Sequence, residues 1–136
     1  MRSAELTTRL EQAVRAQGMA PGPARRRRGV AAVTLVWLRP EPVVLRADAA
    51  GRLVLEGYLP FVVPGGPLLR AVEAFLAARR PDAVCTSRDR ALSIGLPGDD
   101  WPAVLATLLA LAGDIRAMLD AEWPDYARGV FAPSLA

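Results

Sequence analysis

The 136-residue chain has no histidine, no lysine and no asparagine, and a single cysteine, Cys85. Without histidine there can be no Ser-His-Asp triad, no His-paired thiolate and no HExxH zinc site. Without lysine there is neither a Walker A phosphate loop nor a Schiff-base centre. The glycines form neither GxGxxG nor a phosphate cradle: Gly65-Gly66 runs into Pro67, which deletes a backbone donor that such a loop would use. One cysteine excludes an internal disulfide and fits a reducing compartment. No cofactor and no resident metal is expected, and the chain reads as not an enzyme.

Long apolar runs are scarce too. The longest, Trp101 to Gly113, holds a proline and falls short of the ~20 residues that a spanning helix needs. The first twenty residues interleave Glu5, Arg9, Glu11 and Arg15 with apolar positions, so no signal-peptide core is present, and a cytoplasmic location is expected. A hydrophobic fraction of 52% with 23% charged residues suits a single globular domain spanning 1–136.

What the chain has in abundance is arginine, which supplies all seventeen basic residues. Codon bias in a GC-rich genome is the plain explanation. The placement is uneven: residues 1–28 carry +5 and residues 29–136 carry −2. Arg25, Arg26, Arg27 and Arg28 stand in a row behind Pro21 and Pro23. Two prolines and two glycines within Gly18 to Arg28 predict a flexible basic connector without regular structure. If all four arginines met phosphates, affinity would fall with salt at a log–log slope of up to about −3.6. Single-strand binding normally adds aromatic platforms, and the only aromatic nearby is Trp37. A solvated tether, or a patch that steers an acidic protein, is therefore preferred to nucleic-acid binding.

Ser3 can cap a first helix from about Ala4 to Gln17, with Leu6, Leu10, Ala13 and Val14 on one face. Gly29 to Leu38 is apolar on both faces, as an internal strand would be. Val43 to Asp48 and Arg52 to Leu59 flank Asp48-Ala-Ala-Gly51 as a hairpin. Pro67 opens a second helix to Arg79, with Leu68, Leu69, Val72, Phe75 and Leu76 at helical spacing. Asp82 to Thr86 and Arg90 to Leu96 read as a second hairpin. An aspartate before Trp101-Pro102 starts a third helix, which runs to Glu122. The expected fold is α+β: α-β-β-β-α-β-β-α, one five-stranded antiparallel sheet with helices mainly on one face. Residues 123–136 form an apolar tail that docks.

Three clusters invite a chemical reading. Cys85-Thr-Ser-Arg-Asp-Arg90 approaches a phosphatase loop, but the arginine stands one position early and Ala91 occupies its place; a buried or strand-edge cysteine is the better reading. Asp99 and Asp100 could pair for acid/base work, yet their position before Trp101-Pro102 favours helix capping. Asp120, Glu122 and Asp125 suit a solvated helix end better than a cation site.

The third helix, Pro60 to Pro64 and the tail together hold more apolar surface than one subunit can be expected to hide, which points to self-association or a partner groove. With its element order, the chain resembles the YbjN-like proteins and the class I type III secretion chaperones over about residues 3–122. Gly51-Arg-Leu-Val-Leu-Glu-Gly-Tyr-Leu-Pro60, Leu68 to Leu76, and Ala91 to Leu96 leading into the last helix carry the likeness. The asparagine that often follows the second helix there is replaced by Ala77-Ala-Arg-Arg80, and the low pI of secretion chaperones is absent, which favours the YbjN-like branch. The resemblance implies a non-catalytic, usually dimeric module that binds an extended segment of another protein. Arg25, Arg26, Arg27 and Arg28 are the candidates for steering an acidic partner, and Tyr58, Phe61 and Val63 for an apolar lip. The alternative is a nucleic-acid-associated factor that uses the same arginines directly or beside a DNA- or RNA-binding partner.

Overall fold

The computed structural model describes residues 3–27, 30–35, 43–58, 66–88 and 91–122, of which Ser3, residues 23–27, Val30, Tyr58, Arg88 and Ala91 are described by backbone alone. In chain order the elements are α1 (Ser3–Ala16), β1 (Pro21–Arg27), β2 (Val30–Leu35), β3 (Val43–Ala47), β4 (Leu53–Tyr58), α2 (Pro67–Arg79), β5 (Val84–Arg88), β6 (Ala91–Leu96) and α3 (Trp101–Glu122). The α+β class holds. The strand count does not, because the sheet has six strands in the order β1-β2-β3-β4-β6-β5, each pair antiparallel.

The additional strand is the arginine stretch. Residues 21–27, expected within a flexible connector, pair with β2 through Arg27↔Val30, Arg26↔Ala31, Arg25↔Ala32 and Ala24↔Val33, with a register irregularity between Pro21 and Ala24. Composition misleads here for a physical reason. An edge strand needs donors on one side only, so it tolerates proline, and charge on an edge discourages aggregation.

Alternation fixes which face is buried. β3 reads buried, half-buried, buried, half-buried, buried from Val43 to Ala47, as a strand covered on one side should. Register carries the phase across the sheet: Val33↔Leu45, Leu45↔Leu55, Leu55↔Ile94 and Ile94↔Cys85 all lie on that face. One core cluster joins these residues to Leu10, Ala13 and Val14 of α1, Leu68, Leu69, Val72 and Leu76 of α2, and the inner stripe of α3.

α3 is 22 residues long and, by length and composition, apolar enough to cross a membrane. Its stripe has another use: Trp101, Leu105, Leu108, Leu111, Ala112, Ile115 and Leu119 are all buried in the core. Much of the apolar surplus expected on this helix is therefore covered within one subunit. Pro60 to Pro64 and the tail at 123–136 lie outside the described residues.

Local chemistry sets the element ends. Gly51, at φ +79°, closes the β3–β4 turn with its N–H donating to the Asp48 carbonyl at 3.0 Å. Pro67 stands at the start of α2, where its missing N–H costs nothing. Asp100 caps α3, its Oδ1 accepting the Ala103 N–H at 3.3 Å. α1 crosses the start of α3: the Arg9 guanidinium lies 3.9 Å from the Trp101 ring centroid and donates to the Asp99 carbonyl, and Gln17 donates to the Pro102 carbonyl at 3.0 Å.

Candidate functional site

Among the described residues the helices lie on one face of the sheet, which leaves the β1 edge, the β5 edge and the opposite face to consider. Of the seven candidate partner-binding residues, Arg25, Arg26 and Arg27 lie on β1, and Tyr58 ends β4, paired with Ala91. Arg28, Phe61 and Val63 lie outside the described residues. β1 and β4 are separated by β2 and β3 in the sheet order. The backbone thus puts three arginines on an outer strand and Tyr58 three strands inward of it, not in one continuous patch along a single strand.

At β1 the prolines limit what the edge can do. Pro21 and Pro23 have no N–H, so ladder donors come only from Gly22 and from Ala24 to Arg27. The four-residue run from Ala24 covers about 13 Å of edge. That suffices for a short extended segment, and the charge at this edge favours an acidic one.

The face away from the helices carries Thr34, Val44, Arg46, Val54, Glu56, Ser93 and Gly95, the alternates of the core positions, and of these Val54, Ser93 and Gly95 are themselves buried. Near its middle, Glu56 Oε2 accepts from Ser93 Oγ at 3.2 Å and from Arg46 Nε at 3.5 Å. The three groups satisfy one another, which makes this a cross-strand polar cluster of the kind that stabilises a sheet face. No sequence pattern signals it, because the partners come from three strands and converge only through register.

At the β5 edge, Val84 is 38% exposed, the one exposed large hydrophobic side chain among the described residues. Cys85, next to it, is half-buried on the core side. Burial, and then the charge of Glu73, push its thiol up to about 11, so it stays protonated at neutral pH. That chemistry is opposite to the low-pKa thiolate a phosphatase loop requires, and it supports the strand-residue reading.

The acidic clusters are engaged structurally. Asp100 caps α3, and Asp120 accepts from Arg116 Nε at 2.9 Å, one helical turn away. Asp125 lies outside the described residues. Among the described residues no group of three or more Cys, Asp and Glu side chains is disposed to hold a metal. A shallow hollow along α1, lined by Ala4, Glu5, Thr8, Arg9 and Gln12, is open to solvent, and its one guanidinium is already committed to Trp101 and Asp99.

Compared with family models, with curated proteins and with solved structures, the chain finds no match in any of the three.

Proposed function

We propose that this chain is a non-catalytic protein-binding module, an adaptor or chaperone-like homodimer, that takes up an extended acidic segment of another protein along the β1 edge. The observation that carries the reading is the position of Arg25, Arg26 and Arg27 on an outer strand of the sheet. A free strand edge offers main-chain hydrogen bonds without regard to sequence, and its charge selects the partner and steers the encounter. The resemblance to YbjN-like proteins and class I secretion chaperones points to the same kind of work, as does the single cysteine to a reducing, cytoplasmic setting.

Deleting the arginine stretch would strip a strand from the sheet, so substitution is the sharper test. The probe is a fluorescein-labelled peptide that alternates glutamate with valine, followed by anisotropy at low and at moderate salt. Replacing Arg25, Arg26 and Arg27 together by serine should weaken capture about tenfold or more and flatten its salt dependence. Equal binding by variant and wild type would sink the reading. So would a single-stranded dT oligonucleotide bound more tightly than the peptide and lost in the same variant, which would install the nucleic-acid alternative in its place.

A further inference from the structure

The second edge of the sheet has a different chemistry, and it fits a different occupant. β5 (Val84–Arg88) has no proline, so each of its residues retains an N–H, and it carries the exposed Val84. An edge of this kind, proline-free and β-branched, is ready to pair with another strand.

We propose that β5 pairs antiparallel with β5 of a second copy about a two-fold axis through Cys85, joining two six-stranded sheets into one of twelve. This rests on the homodimeric part of the reading above and assigns its surface. A two-fold axis at Cys85 sets Val84 opposite Thr86 of the second copy, a β-branched pair on the uncovered face that removes Val84 from water. The same register brings Arg88 of one copy beside the Arg80–Asp82 turn of the other. Asp82 there is exposed and held by Arg80 at 2.8 and 2.9 Å. Register therefore sets the Arg88 position opposite the Asp82 position at both ends of the seam.

β1 cannot serve in this way. Antiparallel pairing with its own copy would set arginine against arginine along its C-terminal half, and like charges directly opposite destabilise a ladder.

A five-residue seam is too small by itself, since a stable interface buries roughly 1,200 Å² or more. α2 supplies the rest. It packs against β5 and against α3, to which the Arg79–Asp114 bridge ties it at 3.1 Å. Arg70, Glu73 and Ala77, at i, i+3 and i+7, share one exposed flank of the helix. Two such flanks meeting across the axis offer a small residue for close approach and an arginine and a glutamate one turn apart, a self-complementary pair.

The test is sedimentation velocity on the full chain over a concentration series. Wild type should dimerise, and Val84→Lys, at a position that is already exposed, should raise the dimer dissociation constant about tenfold or more. Asp82→Arg and Arg88→Asp should each weaken the dimer, and the two together should restore it to within about threefold. Far-UV melts of each variant identify any loss of folding, and the charge pair supplies a readout if Val84→Lys is unstable. The triple β1 variant should dimerise like wild type. A dimer indifferent to Val84→Lys overturns the seam and leaves the homodimer standing. Failure of the double charge reversal to rescue overturns the register. A monomer at every concentration overturns the homodimer and the seam together, while peptide capture at β1 stays testable on its own.

Discussion

Leu55 and Glu56 are neighbours on β4 and belong to two different environments. Leu55 is fully buried beneath the helices, whereas Glu56, on the other face, keeps about a quarter of its side chain accessible and answers to Arg46 and Ser93. Extended to every strand, the difference separates the work of the sheet. Among the described residues the helix-covered face supplies nearly all of the apolar burial, and the binding proposed above falls at the edges. Edge residues can change without removing core contacts.

The largest effect is expected in the core. Leu55→Ala removes a side chain packed between Leu45 and Ile94, which pair with it on either side. It should cost about 2–5 kcal/mol, the transfer term plus the cavity left behind. Urea unfolding of the variant checks this, and a cost below about 1 kcal/mol would show that the covered face is not where stability resides.

This face was also the part most readable in the sequence. Val43 to Ala47 alternates, Leu68 to Leu76 steps at helical spacing, and Pro67, Asp100 and Gly51 act as the start and turn signals they suggest. α1 and α3 end within a residue or so of where their caps and prolines place them. The edges were far less readable. Pro21 to Arg27 has the composition of a loop, and only its position explains how such residues make a strand: no further strand demands donors from its outer side. One signal was available, since two positions separate β1 from β2, the spacing of a tight hairpin. The Arg46–Glu56–Ser93 cluster was unreadable for another reason, because its members are 10 and 37 residues apart and register alone unites them.

A smaller effect is expected where the two faces meet, at the β3–β4 turn. Asp48 Oδ1 accepts the Ala50 and Arg52 N–H groups at 3.0 and 2.9 Å, and its Oδ2 accepts from Arg52 Nε at 2.8 Å. Desolvation raises its pKa, but the hydrogen bonds from Arg52, the charge of Arg52 and the Ala50 N–H outweigh it, holding the carboxyl below its ordinary 3.8. A pKa depressed by folding means that the turn's contribution is full above the unfolded value and is lost as pH falls through the folded one. Acid titration of stability should therefore be steeper below about pH 4 in wild type than in Asp48→Asn. Chemical unfolding at a series of pH values measures it, and identical slopes would remove Asp48 from the account.

The smallest effect is expected on the face away from the helices, at the Arg46–Glu56 pair. Glu56→Gln removes the charge opposite Arg46 while keeping an acceptor for Ser93 Oγ. For a partly exposed pair at 3.5 Å the expected cost is below about 1 kcal/mol. A loss approaching that of Leu55→Ala would require Glu56 to sit in a far drier setting than its accessible surface indicates, because only a desolvated ion pair is so costly to break. The face would then be covered in solution, and a double-mutant cycle with Arg46→Ala would separate the two cases: a coupling of a few tenths of a kcal/mol fits a surface left free, and one of several kcal/mol fits a surface already occupied.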